Sequence, residues 1–389
     1  MLLKFHIGIY AYTTDISKAF IRVGLQEEED CNYTRFLWIK DPNDPNSELI
    51  TYKFVSVLFG ATSSPFLLQA TINTHLKKSN NPNKTEISNN LYVDNFQSTA
   101  SSESKLLNLN HKANRELMGA NITPQSWVSN NAKLNQLIEN DFPDYQVPET
   151  TKVLGVEWDT TEDQLTIKSV EPDTTNLTMR KLLSQVSKPF DPLGLLSPIL
   201  FNGKLIMQEC WEQKIDWDDL LTPTLQEKWQ GLVKDLSILE SVNFPRNTVN
   251  KKEPMKQHVF CDAFCEAYGT VAYLVSNGQA KLLTSKARVA PLKKRSLPLL
   301  ELAAILLGTR LAHYLIKDLS NIHFEETVVW SENEALLHLV KNNNSKNPCM
   351  SNCVKEIQEL SAGYKLRYVP TKENPADYLS RGLILWQLT

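Results

Sequence analysis

Apolar positions along the chain change their period several times, and the changes mark out three zones. In the first, residues 1–170, short runs of strand period alternate with stretches of helical period. IGIYAYTTD (Ile7–Asp15) is dense in β-forming residues, and ELITYKFVSV (Glu48–Val57) alternates apolar with polar as a half-buried strand would. SPFLLQATINTHLKK (Ser64–Lys78) reads as a helix with Ser64 as its N-cap and Pro65 at the first helical position, where a missing N–H costs nothing. Over residues 103–118, Leu106, Leu109, Ala113 and Leu117 fall on one helical face. TKVLGVEWDTTEDQLTIK (Thr151–Lys168) reads as two strands around a polar turn, Asp159 to Asp163.

The second zone, residues 171–250, has helical periodicity broken at KPFDPLGLLSPI (Lys188–Ile199). Trp211, Trp217 and Trp229 are expected to anchor its helices to one another. NFPRNTVNKKEP (Asn243–Pro254) is polar, basic and flanked by prolines, and reads as a linker. The third zone, residues 251–389, runs strand, turn, strand, then a long apolar helix from Pro298 to about Ile316. The strand ETVVWSE (Glu326–Glu332), two helices, the strand YKLRYVP and the segment NPADYLSRG follow. The resulting order, βββαβαβα, predicts an α/β domain.

Composition narrows the class. With 42% hydrophobic and 22% charged residues, a chain of 389 residues fits a globular protein of two or three domains. No run of 18 apolar residues predicts a membrane span, and the N-terminus lacks the apolar core and cleavage site of a secretory leader. The start reads as cut into mid-domain. A net charge of −3 does not advertise a nucleic-acid binder, yet Lys281, Lys286, Arg288, Lys293, Lys294 and Arg295 form a basic run without an acid. Such a run is either a solvated loop or a phosphate-backbone contact. The pairs Cys261/Cys265 and Cys349/Cys353 are each spaced C-x3-C, but no histidine lies at ligand spacing, so free thiols in a reducing compartment are favoured over zinc.

Four acids of the third zone stand where acids need a reason. Glu301 sits in LPLLELAAILLG, Asp262 in the apolar strand HVFCDAF, Glu332 just beyond TVVW at a strand end, and Asp377 at a helix start. Each alone is more often structural, and for Glu301 a place near the helix N-terminus is explanation enough. As an ordered set on four elements, they could converge on two divalent cations, which in phosphodiester hydrolysis sit roughly 3.5–4 Å apart. All-oxygen ligands favour Mg²⁺. The set resembles the ribonuclease H fold, whose site takes Asp, Glu, Asp and Asp in that order; Glu332 departs from it by one methylene.

The first zone carries a second candidate site. Asp15 ends a strand-like run in TTDISKAF, with Phe20 five residues on; FGATSSPF holds Phe59 and Gly60; LYVDNFQ holds Tyr92, Asp94 and Asn95. Taken singly, Asp94-Asn95 is a common turn. In this order, the three segments resemble motifs A, B and C of reverse transcriptases, and VLGVEWD resembles the hairpin that grips the primer end. The resemblance assigns catalytic Mg²⁺ to Asp15 and Asp94, a steric gate to Phe20, and the nucleotide and template site to Phe59, Gly60 and Tyr92. Asn95 replaces the second aspartate of the usual Tyr-x-Asp-Asp.

Together with LSQVSKPFDPLGLLSPI and NPADYLSRG, these segments resemble the Bel-Pao class of LTR retrotransposon polyproteins over nearly the whole chain. The resemblance implies an α+β and α/β architecture: a truncated reverse-transcriptase palm without its N-terminal fingers (1–170), a helical thumb or connection (171–250) and a ribonuclease H-like domain (251–389). It implies RNA-directed DNA synthesis, impaired here, and hydrolysis of RNA in hybrids. Catalysis would rest on Asp15, Asp94, Asp262, Glu301, Glu332 and Asp377, with Mg²⁺ as cofactor and Mn²⁺ as its substitute. The implied partners are RNA/DNA hybrid, primer-template, dNTPs and other retroelement polyprotein parts, with no membrane. The implied location is the cytoplasm or a virus-like particle, with the nucleus as an alternative, and not the secreted space. The competing expectation is an inactive or domesticated relic that binds nucleic acid. No Asp-Ser-Gly or Asp-Thr-Gly occurs, so aspartic proteolysis is not expected.

Overall fold

The structure is a computed structural model and describes residues 1–168, 172–238, 243–247, 254–342 and 347–383. The chain packs as two compact units: Met1 with Ile9–Glu149, and Leu2–Gly8 with Thr150–Thr389. The hairpin region after Thr150, which the sequence reading placed with the first domain, therefore packs in the second unit. So does the short helix α1 (Leu2–Phe5).

The first unit is built on strand β1 (Tyr10–Ile16), whose interior is buried on both faces. A short helix α2 (Glu28–Cys31) leads into strands β2 (Arg35–Ile39) and β3 (Leu49–Lys53), which pair with each other as a two-stranded sheet. Helices α3 (Ser64–Lys78) and α4 (Lys84–Asn89) come next, then strands β4 (Leu91–Tyr92) and β5 (Asn95–Ala100), helix α5 (Glu103–Gly119), strand β6 (Pro124–Ser129) and helix α6 (Ala132–Asp141). The antiparallel sheet runs β4-β5-β1-β6. Tyr12 stacks on Trp127 at 5.9 Å and lies 5.6 Å from Phe96, and Leu68 and Ile72 of α3 with Leu106, Ala113 and Leu117 of α5 close over them. The predicted face of α5 is thus buried, as its period required.

Two local expectations fail here. The cap position of α3 is Ser63; Ser64 is already helical, and its hydroxyl donates back to the Leu58 carbonyl instead. The alternation in β3 does not bury a face, because β2 and β3 form a ribbon with Phe36, Leu37, Trp38, Leu49 and Tyr52 all exposed. Its rings contact one another, Phe36 lying 5.1 Å from Phe54 and 5.8 Å from Tyr52.

The second unit opens with strands β7 (Thr150–Val153), β8 (Val156–Asp159) and β9 (Gln164–Thr166). There are three strands where two were expected. Leu154 and Gly155, at φ +48° and +89°, form a two-residue hairpin turn that folds the first predicted strand in half. Helices α7 (Met179–Ser187), α8 (Ser197–Glu212) and α9 (Pro223–Ile238) pack around Leu182, Ile199, Ile206 and Trp229. Of the three tryptophans only Trp229 is a buried anchor; Trp211 and Trp217 are exposed and meet edge to face at 5.4 Å.

The predicted linker is not one over its first residues. Asn243–Pro245 form strand β10, paired with β9. Arg246 is wholly buried: it holds Asp163 through two bonds of 2.5 and 2.7 Å and donates to the carbonyls of Phe5 and Gly8. A buried guanidinium needs such partners, and these tie the N-terminal segment to the β10-β9-β8-β7 sheet. Residues 248–253 of the same stretch lie outside the described residues.

The remaining elements are strands β11 (Met255–Phe264), β12 (Ala267–Ser276) and β13 (Gln279–Val289), helix α10 (Leu297–Asp318), strand β14 (Phe324–Ser331), helices α11 (Glu334–Asn342) and α12 (Pro348–Leu360), strand β15 (Lys365–Tyr368) and helix α13 (Asp377–Arg381). The sheet order is β13-β12-β11-β14-β15, with β11, β14 and β15 parallel and the other neighbours antiparallel. The helical zone is fastened to the β13 edge by the DPLG turn. Ser285 N–H and the Thr284 hydroxyl donate to Leu193 O at 2.9 and 2.6 Å, and Gly194 takes φ +71° where a Cβ would strike Ser285 O.

Helix α10 is apolar on two faces because it has two cores to fill, while Arg310, His313 and Lys317 are exposed. Leu300, Ala304, Leu311 and Leu315 face the sheet, while Leu302, Ile305 and Leu306 face α11 and α12. By length and composition it could cross a membrane, yet 61% of its most apolar window is buried within the unit. At Gly308 the helix backbone comes so close to β11 that a Cβ would lie 2.2 Å from Cys261 Sγ and 3.0 Å from Thr270 Oγ1. This approach sets how deep the helix lies against the strand. We expect Gly308→Ala to destabilise the protein by about 1–3 kcal/mol through overpacking. Cys261→Ala in the same chain should return part of the loss, measured by denaturant midpoints in a double-mutant cycle.

Candidate functional site

Side chains along β11 alternate between two faces. Val259, Cys261 and Ala263 pack in the core against α10; Phe260 packs on the other face with Ala376 and Leu379 around α13. Asp262 shares that second face and is 3% exposed. In the parallel ladder, Cys261 is level with Ser331, so Asp262, still on β11, and Glu332, just past β14, stand one position further on. They are hydrogen-bonded to each other. Outside this mutual contact, Asp262 Oδ1 and Glu332 Oε2 are both buried and receive no hydrogen bond from another described residue.

The other two acids of the set stand around this pair. Asp377, first residue of α13, is tied to Arg381 one turn on, and the Arg381 guanidinium lies 4.3 Å from the Phe264 ring. Glu301, in the second turn of α10, accepts a hydrogen bond of 2.5 Å from the Asn333 amide, while the Asn333 carbonyl oxygen caps α11 through Leu336 N–H at 2.9 Å. Burial, then the hydrogen-bonded Glu332, pushes Asp262 up to about 7, and the charge of Asp377 adds to the effect. The bond from protonated Asp262 draws Glu332 below its ordinary range. Burial first, with the Glu332 charge adding, raises Glu301 against the opposing Asn333 bond. The protons therefore belong to an interacting group and not to single residues.

The structure thus brings the four predicted carboxylates into one electrostatic neighbourhood, but not as four open ligands. Among the described residues, no group of three or more His, Cys, Asp and Glu is set to hold a metal ion. The open donors are the two orphaned oxygens of Asp262 and Glu332, while Glu301 and Asp377 are each held by a neighbour. Two hard oxygens aimed from neighbouring strand ends fit a Mg²⁺ ion, which takes one or two carboxylates and completes its shell with water and phosphate. The sequence reading missed Asn333, Arg381 and Ser380, whose hydroxyl donates to Asp262 Oδ2. The last two stand in the same NPADYLSRG segment as Asp377, but a serine or arginine there carries no distinguishing pattern.

In the first unit, Asp15 pairs in register with Asn95 across β1 and β5, and Ile16 N–H donates to Asp94 O at 2.7 Å. Burial, then the charge of Asp94, raises Asp15. Val93 and Asp94 form the two-residue loop between β4 and β5, with Val93 at φ +55°, a costly conformation for a β-branched residue. The Asn95 amide donates to Asp94 Oδ1 at 3.1 Å, so the residue replacing the second aspartate partly satisfies the first. Phe20 is buried and meets the exposed Phe59 edge to face at 4.9 Å, beside Gly60 at φ +84°; Tyr92 is exposed on β4 opposite Asn95.

Residues 178–333 match the family described as the Pao retrotransposon-like RNaseH-like domain. The Bel-Pao resemblance holds over that segment. The Pao-like segment joins α7–α9 to β11–β14 and contains Asp262, Glu301 and Glu332, with Asp377 beyond it. No curated protein matches the chain. Among solved structures, the foamy viral protease-reverse transcriptase with an RNA/DNA hybrid is similar at TM-score 0.57 and 14% identity, over 95% of this chain and 45% of that one. The dRH form of the same foamy viral protein with double-stranded DNA gives 0.56 and 14%, over 96% of this chain and 59% of that one. This chain therefore spans about half the length of those proteins, and at such identity the likeness speaks for the fold. The fold class is the expected one: an antiparallel α+β unit and a unit with a mixed, ribonuclease H-like sheet.

A carboxyl raised from 3.8 to about 7 holds its proton in the folded state over a range where the unfolded chain has lost it. Stability from this group is complete below about pH 4 and falls as pH rises to about 7. We expect the metal-free protein to lose on the order of 2 kcal/mol across that window. Asp262→Asn should remove this slope and unfold at higher temperature than the parent at pH 8, read from thermal midpoints against pH.

Proposed function

We propose that the second unit hydrolyses the RNA strand of RNA/DNA hybrids in a divalent-metal-dependent reaction, with Asp262 and Glu332 as the central metal ligands. The observation that supports this reading best is a pair of buried carboxylate oxygens, one on β11 and one just past β14, that no donor outside the pair reaches. Mg²⁺, or Mn²⁺ in its place, would activate water and stabilise the leaving oxygen there. The protein's part is to hold the two carboxylates where their repulsion is relieved only by a proton or a cation. Glu301 and Asp377 flank the pair and supply further negative charge. Arg381, on Asp377, offers a cation to the incoming phosphodiester. The hybrid in the foamy viral structure supports this class of partner.

For the first unit, Asp15 and Asp94 support a polymerase palm that would use primer-template and dNTPs. Asn95 favours an impaired one, since it brings an amide to Asp94 where a second carboxylate would bring charge. Both readings are tested on one oligo-dT/poly-rA substrate with Mg²⁺. We expect RNA cleavage to fall at least about 100-fold in Asp262→Asn and Glu301→Ala, and primer extension to stay at the level of an Asp15→Ala control. Cleavage that survives either acid substitution would sink the nuclease reading; extension well above the control would sink the impaired-palm reading.

A further inference from the structure

Every acid around the candidate metal site has one partner that is not an acid. Glu301 has Asn333, Asp377 has Arg381, Glu332 has Thr371, and Asp262 has Ser380. The last contact differs from the others because both residues are buried: Ser380 is 1% and Asp262 3% exposed. Ser380 lies on α13, three residues after Asp377, and its hydroxyl oxygen is 3.0 Å from the Asp377 carbonyl oxygen as well as within bonding reach of Asp262 Oδ2. A hydroxyl has one proton to give. Given to Asp262, it occupies Oδ2 and leaves Oδ1 as the buried oxygen that no donor outside the Asp262–Glu332 pair reaches. The neighbouring Leu379 packs in the core against β12 at Gly269, so α13 cannot slide without opening that contact.

We propose that Ser380 is a positioning residue that fixes the Asp262 carboxylate in one rotamer, with Oδ2 held by the hydroxyl and Oδ1 presented to a divalent cation. The inference rests on the metal-site reading above and adds a residue to it. It also gives α13 a purpose: five residues long, it carries a flanking acid and the hydroxyl that orients the central one. Hydrogen bonds to metal-ligating carboxylates typically govern affinity by roughly 10–100-fold.

The test is Mn²⁺ binding to the full, metal-free chain, followed by electron paramagnetic resonance of free Mn²⁺ well below the melting temperature. Wild type, Ser380→Ala, Ser380→Thr and Asp262→Asn are compared, with circular dichroism to verify that each is folded. We expect Ser380→Ala to bind roughly 10–100-fold more weakly, Ser380→Thr to bind within about threefold of wild type because it keeps the hydroxyl, and Asp262→Asn to lose the site. If Ser380→Ala does not fold, Ser380→Cys, close in size and a weak donor, is expected to show the same loss. Equal Mn²⁺ affinity in wild type and the hydroxyl-free variant overturns the role of Ser380 and leaves the site reading standing. A wild-type chain that binds no Mn²⁺, or whose binding survives Asp262→Asn, overturns the site reading and this inference with it.

Discussion

Two carboxylates side by side near the ends of β11 and β14, Asp262 buried and Glu332 half-buried, are the constraint around which the second unit is organised. Ionised and unpaired, they would repel each other where water screens them only in part. The fold tolerates them by sharing a proton, and by placing donors around them: Ser380 on Asp262 and Thr371 on Glu332. Such an arrangement costs stability and gives nothing back to the core. Its cost is understandable if a cation replaces the proton when the protein works. The parallel β11–β14 pairing creates it, since only parallel strands end together, and α10 supplies the crossover that makes them parallel.

Much of this was legible in the sequence. An aspartate in HVFCDAF and a glutamate in LPLLELAAILLG stand out because their neighbours are apolar, and burial makes an isolated acid costly. Glu332 and Asp377 could be placed because strand and helix boundaries were clear from period and flanking polar residues. What stayed hidden was whatever depended on a partner distant in sequence. Arg246 looked like part of a basic linker until its ion pair with Asp163 and its bonds to Phe5 and Gly8 brought it to full burial. Asn333 gave no sign that one side chain would both cap α11 and hold Glu301. The turn at Leu154-Gly155 was read as strand because a leucine at positive φ is rare, and the period alone cannot reveal it.

The first unit shows how a family pattern and local physics can diverge. Burial, and after it the charge of Asp94, makes Asp15 harder to ionise. The hairpin that presents Asp94 holds Val93 in a strained conformation, which is a feature of working sites. Asn95, however, answers Asp94 with an amide instead of a second charge. The alternation of β3 promised a buried face, and in the β2–β3 ribbon that strand stays largely exposed.

The central claim is that Asp262 and Glu332 together hold a divalent cation. Its most direct test is an anomalous difference map from crystals of this chain grown with Mn²⁺. The account predicts a peak between the Asp262 and Glu332 carboxylates, absent from crystals of Asp262→Asn. A map with no peak there, or with Mn²⁺ seated only elsewhere, would contradict it.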